Sequence, residues 1–153
     1  MKKDFTFGAI VFKKEEGVDK VLLLKKPQFT SWDLPKGHKE KADVSDKAAA
    51  LREVSEESGY KQITITDEKV SVTYEAEKNG EKLEKTVTFY LADYTGNEES
   101  PEQHLDNNED ERSIDVKWVL VSKAADLLTF APFKSALKQA IAKQKHNSEI
   151  KKK

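Results

Sequence analysis

The run Arg52-Glu53-Val54-Ser55-Glu56-Glu57-Ser58-Gly59 constrains this chain more than any other stretch of similar length. An α-helix turns by roughly 100° per residue, so Glu53, Glu56 and Glu57 fall within an arc of about 100° and share one face. Ala50, Leu51 and Val54 lie well around the same helix and make it apolar there. Such a helix docks on a core by one side while its carboxylates point at something else. Like charges three or four residues apart repel by roughly 0.2–0.5 kcal/mol per pair, whereas clustered hard oxygen ligands suit Mg²⁺ or Mn²⁺. A solvated acidic face and a divalent-metal site are therefore the two readings of these residues. Arg52 stands four positions before Glu56 and can pair with it. Gly59 marks the helix stop, and Ser45 is a credible N-cap for a helix from Ser45 or Asp46 to Ser58.

The rest of the chain supplies a setting for that helix. Its 153 residues, 37% hydrophobic, suit one domain with a sizeable core and would crowd two. Lys and Arg total 27 against 28 Asp and Glu, a formal charge of −1, so the global basic footprint of a duplex nucleic-acid binder is missing. The lack of cysteine excludes disulfides and thiolate metal sites and fits a reducing cytosol. The first dozen residues alternate polar and apolar side chains rather than forming a signal-peptide core, and no later stretch has the length and apolarity of a membrane span. A cytoplasmic monomer with no membrane attachment is the expectation.

Residues 5–13 and 20–25 are expected as strands joined through Glu15–Asp19, followed by a turn-rich passage from Phe29 to Lys36. After the helix, strands are expected at 62–66, 68–76 and 84–93, with Asn79-Gly80 as the tight turn between the last two. Thr95–Asn108 reads as a polar surface loop, and a strand at 114–120 closes the sheet. Ser122 is expected to cap a short helix ending near Leu128. Phe133–Lys145 forms a second amphipathic helix with Ala136, Leu137, Ala140 and Ile141 inward. One domain over 1–147 and a basic, disordered tail over 148–153 complete the outline. The alternation predicts an α/β sandwich with a mixed sheet.

With the upstream Gly37-His38-Lys39-Glu40-Lys41-Ala42-Asp43 and the turn Leu34-Pro35-Lys36-Gly37, the Arg52–Gly59 run resembles the Nudix box. The match has one departure. The step from Gly37 to Arg52 is one residue longer than the family pattern, and its upstream acid is Asp43 rather than Glu. A loop accepts an insertion more easily than a packed helix does, so the extra residue belongs in the Asp43–Asp46 bridge. The roles of Asp43 and Glu40 are thereby left open. The resemblance implies a three-layer α/β/α sandwich in which the box forms a loop-helix-loop. It also implies Mg²⁺- or Mn²⁺-dependent hydrolysis of a nucleoside diphosphate linkage, with Glu53, Glu56, Glu57 and the Gly37 carbonyl as metal ligands, Arg52 supporting them, and Lys36 near a phosphate oxygen. The general base is either a box glutamate such as Glu56 or an acid from a distant loop; Glu111 is the choice there, with Glu109 in reserve.

Three further passages, Trp32–His38, Lys85–Ala92 and Trp118-Val119 with Leu128–Phe130, resemble the asymmetrical diadenosine tetraphosphate hydrolases. That likeness implies a dinucleoside polyphosphate or other nucleotide substrate, with Lys36, His38 and Lys85 on the polyphosphate and Tyr74 with Phe130 or Phe133 stacking adenine. Both phenylalanines have a competing reading as core, which burial preferences favour, and Tyr74 lies farther from Lys85 in sequence than this branch leads one to expect. Other readings stay open: a pyrophosphohydrolase of RNA 5′ ends or of diphosphoinositol phosphates, with Lys25, Lys26, Lys39 and Lys41 forming a broader basic mouth, or a Nudix-fold binding module without catalysis. A calcium loop at 106–111 is excluded, because its acids lack EF-hand spacing and the central glycine.

Overall fold

The computed structural model describes residues 1–96 and 114–151, with side chains as far as 147. Within them the chain runs β1 (Lys2–Glu15), β2 (Val18–Lys25), β3 (Lys36–Gly37), α1 (Asp46–Ser58), β4 (Ile63–Lys78), β5 (Glu81–Tyr94), β6 (Asp115–Leu120), α2 (Val121–Leu127) and α3 (Ala131–Lys151). The sheet order is β4-β5-β1-β2-β6, with β3 paired to β1. Among the described strands β1 and β5 run parallel, and the other pairs are antiparallel. The expected mixed sheet is thus present.

Strand alternation decides which helix covers which face. Ala9, Val11 and Leu22 point to one side and join Val54 of α1 in a single apolar cluster. Ile10, Phe12, Val21 and Leu23 point to the other and pack with Ala124 of α2 and Ala136, Leu137 and Ala140 of α3. Two apolar faces on one sheet require two covering layers, which is the α/β/α sandwich.

Several local expectations change. The two strands expected at 62–66 and 68–76 are one strand, β4, with an irregularity between Ile65 and Lys69. There Thr66 Oγ1 donates to the Leu91 carbonyl at 2.8 Å and accepts the Glu68 N–H at 3.2 Å, so the strand bulges without ending. Ser122 is not a cap: Leu120 occupies the N-cap of α2 and makes no side-chain bond. Helix α3 begins at Ala131, with Pro132 tolerated in its first turn, and continues past Lys145 to Lys151. Each residue added to a helix gains a backbone bond, and the helix runs into the first residues of the tail expected over 148–153. Most of the loop expected over Thr95–Asn108, together with Glu109 and Glu111, lies outside the described residues. Asn79-Gly80 is the tight turn expected, and the connection expected over Glu15–Asp19 narrows to the two residues Glu16-Gly17; both turns adopt positive φ at their two central positions.

The turn-rich passage before the box turns out to be part of the sheet. Strands β1 and β2 pair only from Phe12 to Glu15, which leaves the earlier part of that β1 edge open. Strand β3 fills it, opposing Phe7 with Gly37 and Gly8 with Lys36. The Ala9 N–H donates to the Pro35 carbonyl at 3.2 Å. A Cβ at Gly8 would collide with that same carbonyl oxygen and crowd Lys36. Replacing Gly8 with Ala should therefore push β3 out of its slot. Overpacking of this kind costs about 1–3 kcal/mol, a fall of on the order of 5 °C in melting temperature, and an unchanged melt would show that β3 can give way freely.

Candidate active site

Helix α1 is fastened at both ends. Ser45 Oγ accepts the Ala48 N–H at 3.1 Å. Gly59, at φ 84°, turns the chain left-handed while its N–H donates to the Ser55 carbonyl. The buried face of α1 carries Ala49, Ala50 and Val54, and Leu51 packs partly against the same cluster. This docking sets Glu53 and Glu57 against β3, while Glu56 turns to Arg52. Glu57 is only 6% exposed. One of its oxygens accepts the Lys36 N–H at 2.9 Å and the other lies 3.1 Å from Lys26 Nζ. Gly37 packs so tightly on Glu53 that a Cβ would overlap the carboxylate. A glycine is required there by close approach rather than by backbone conformation.

Arg52 ties the box loop to the helix. Its Nε donates to Asp43 Oδ1 at 3.0 Å and its Nη2 to Asp43 Oδ2 at 3.0 Å, a two-pronged pair. Nη2 also donates to the His38 carbonyl at 2.9 Å, while Nη1 donates to Glu53 at 2.9 Å and Glu56 at 3.1 Å. Glu40 stands at 3.6 Å from Nη1. The question left by the longer Gly37–Arg52 step is answered for Asp43: its side chain, 7% exposed, reaches the guanidinium and also accepts the Glu40 N–H at 2.8 Å. The Arg52 hydrogen bonds hold the Asp43 carboxyl below its usual range, and Asp43 in turn raises the Arg52 guanidinium above its own.

The carboxylates respond to this crowding. Burial, and then the charge of Glu57, push Glu53 up to about 7 against the opposing pull of Arg52. Burial also raises Glu57, with Lys26 and the Lys36 N–H opposing it. Among the described residues no three His, Cys, Asp or Glu side chains already converge as closed metal ligands do. The donor chemistry nevertheless fits a divalent cation. Two largely buried, mutually repelling carboxylates and a glycine that lets backbone approach them form an all-oxygen set that a hard cation satisfies.

The opposite side of the sheet holds a second group. Residue 37 faces α1, so residue 36 faces α3: Lys36 Nζ binds Asp33 at 3.1 Å and lies 5.0 Å from the Phe133 ring. Tyr74 and Lys85, eleven residues apart in sequence, are direct cross-strand partners, and Lys85 is also paired with Asp4 across β1. His38 Nε2 meets Asp4 Oδ1 at 2.8 Å, and Lys85 Nζ lies 3.9 Å from Asp4 Oδ2. Burial, then the charge of Lys36, lowers Lys85 from its ordinary value. Beside this row a cleft of about 310 Å³ is lined by Lys26, Phe29, Trp32, Asp33, Tyr74, Phe130 and Phe133. Tyr74 and Phe130 meet edge to face at 4.8 Å.

The two phenylalanines divide. Both line the cleft, but Phe133 does so from the core, at 5% exposed, whereas Phe130 is 42% exposed. Sequence reasoning overlooked Asp4 and Phe29. Asp4 is one charge on an otherwise ordinary strand, and only the register places it beside Lys85. The lysines proposed for a broad basic mouth are largely engaged: Lys25 faces Asp115 and the Trp32 ring, Lys26 faces Glu57, and Lys39 faces Asp46.

A carboxyl whose folded value lies above its unfolded one binds protons more tightly when folded, so stability falls as pH climbs from the ordinary carboxylate range through about 7. In the presence of a chelator, wild type should therefore lose about 1–2 kcal/mol relative to Glu53→Gln between pH 5 and 8, with allowance for solvent screening. Mg²⁺ should restore it at pH 8. Parallel melting curves for the two proteins across that range would contradict the strain assigned to Glu53.

Comparison with known proteins places this architecture. A model of the NUDIX domain matches residues 2–141. MutT4 of Mycobacterium tuberculosis, by its name a mutator protein, is 31% identical over 100 residues; the match covers 65% of this chain and 37% of that relative, so the chain spans little more than a third of its length. Among solved structures, a C. elegans Ap4A hydrolase binary complex superposes with a TM-score of 0.72 at 24% identity, covering 94% of this chain and 98% of the other. The Nudix hydrolase RenU from M. smegmatis gives 0.66 at 21% identity, over 95% and 89% of the two chains. The NUDIX domain of Shewanella oneidensis NrtR, complexed with ADP ribose, gives 0.61 at 17% identity over 94% and 89%. No described helix is long and apolar enough to cross a membrane. The structural likenesses speak for the fold, the family match covers nearly the whole chain, and the protein belongs to the NUDIX domain family.

Proposed function

We propose that the protein hydrolyses dinucleoside polyphosphates, cleaving diadenosine tetraphosphate asymmetrically to ATP and AMP in the presence of Mg²⁺ or Mn²⁺. The observation that carries this reading is the junction between the two sides of the site. Lys36 gives its N–H to Glu57 and its ammonium to the aromatic cleft, and Lys26 touches Glu57 while lining that cleft. A nucleotide stacked there would run its phosphates straight to the carboxylates. The fold shared with the C. elegans Ap4A hydrolase supports the same choice of substrate.

Nudix hydrolases generally use divalent metals, and Glu53, Glu56, Glu57 and the Gly37 carbonyl are the groups that would hold them here. A bound divalent ion supplies positive charge toward phosphate oxygens and acidifies water. The protein's own residues do the rest. Arg52 fixes Glu53 and Glu56 in place, so the carboxylates need little reorganisation when substrate arrives. Lys36, His38 and Lys85 offer donors to successive phosphates, and Tyr74 with Phe130 offers a wall for adenine. Holding one nucleoside while the chain crosses the carboxylates presents one phosphorus to water. Water adds to that phosphorus, the bond to the departing polyphosphate breaks, and the proton passes to a base. Glu111, outside the described residues, is proposed as that base, with Glu56 as the alternative within the box.

Diadenosine tetraphosphate should yield ATP and AMP rather than two ADP, and should show the highest kcat/KM in a panel with nucleoside triphosphates, ADP-ribose, capped RNA and a diphosphoinositol phosphate. Hydrolysis in ¹⁸O-water then locates the phosphorus attacked. Rapid turnover of another member with the dinucleotide untouched would reassign the substrate, and no metal-dependent cleavage of any member would favour a binding module.

The base is tested separately. Glu111→Gln should lower kcat more than it raises KM, while Glu109→Gln stays close to wild type. A large effect at Glu109 alone would move the role there, and small equal effects at both would return it to the box.

A further inference from the structure

We propose that Asp4 is a positioning residue for the phosphate-binding row, holding the His38 imidazole and the Lys85 ammonium side by side so that both can meet adjacent phosphates. The inference rests on the reading of this row and its cleft as the polyphosphate site. Asp4 arrives there by register alone, opposite Lys85 in the parallel β1–β5 pair. Both of its oxygens lie within hydrogen-bond distance of His38 Nε2, at 2.8 and 3.1 Å, and Oδ2 faces Lys85 Nζ at 3.9 Å. One carboxylate thus touches two of the three groups assigned to the phosphates. The third, Lys36, has its own carboxylate in Asp33.

This arrangement addresses a problem that the cleft sets for itself. Lys85 is partly buried and feels the charge of Lys36, and both effects favour loss of its proton; Asp4 and Asp33 act in the other direction, with Lys78 as a further cation nearby. Without Asp4 the site would hold two neighbouring ammonium groups with less to keep Lys85 charged or aimed. Charge-assisted bonds to phosphate need donors that are charged and aligned, and donors already aligned lose less freedom on binding. The His38 carbonyl is meanwhile held by Arg52. Asp4 therefore links the phosphate row, through His38, to the same guanidinium that orients the carboxylates.

The Asp4 side chain belongs to neither apolar cluster, and its strand is held through the backbone pairing of β1 with β5. A conservative replacement should leave the fold alone. Binding of inorganic tripolyphosphate in excess Mg²⁺, followed by titration calorimetry, tests the role without requiring turnover. Asp4→Asn should weaken tripolyphosphate by 5- to 20-fold with the melting temperature within 2 °C of wild type. In a Lys85→Ala background the same change should cost threefold or less, because one of the two donors that Asp4 aligns is gone and only His38 remains. Asp4→Ser, which removes the carboxylate without placing an amide beside Lys85, should repeat the pattern. With the best substrate of the panel, KM should rise while kcat stays within twofold. Wild-type affinity in both Asp4 variants, or an undiminished effect in the Lys85→Ala background, would overturn the proposal. The outcomes separate from those of the substrate assignment: an intact tripolyphosphate cycle with uncleaved diadenosine tetraphosphate sinks the substrate, and cleavage of the dinucleotide with a flat cycle sinks Asp4.

Discussion

The loop and the helix of the carboxylate site are joined through one guanidinium. Arg52 reaches the loop through Asp43 and the His38 carbonyl, and the helix through Glu53 and Glu56. Four acids and a carbonyl gather around it because an arginine presents five donors in a rigid fork. Lysine could not do the same, having a flexible stem and a single charged atom. The chain can in this way hold carboxylates close together that would otherwise repel, and can tolerate a longer loop between Gly37 and Arg52 without losing the loop-to-helix link.

The second organising constraint is a two-residue strand. Strand β3 fills a gap along β1 that β2 leaves open, and alternation sends its two residues to opposite faces. Gly37 presents bare backbone to Glu53, and Lys36 presents a cation to the aromatic cleft. The metal chemistry proposed for one side and the nucleotide recognition proposed for the other are thus only one peptide apart. Adding bulk at Gly37 would crowd the first, and shifting the register by one residue would exchange the two sides.

Local sequence determined the elements whose cause is local. The span of α1, its Ser45 cap and its Gly59 stop follow from side-chain chemistry within a few residues, and the apolar and acidic faces follow from helical periodicity. The two tight turns follow from positive φ at Glu16-Gly17 and Asn79-Gly80. Expectations failed where a distant partner decides. The bulge in β4 depends on a Thr66 bond to Leu91, 25 residues away. Strand β3 looks like a turn because nothing within Leu34–Gly37 announces that β1 has an open edge.

The sequence by itself determined that three carboxylates share a helix face and that an arginine accompanies them, because these properties rest on period and spacing along one helix, and its alternation of strands and helices pointed to the α/β class. Tertiary structure alone decided that Asp43 is the arginine's partner, that Phe133 lines the cleft from the core while Phe130 stays exposed there, and that Asp4, Lys85 and Tyr74 stand in one row. Those facts depend on strand order, register and the crossing of elements far apart in the chain, where a shift of one residue turns a side chain to the opposite face.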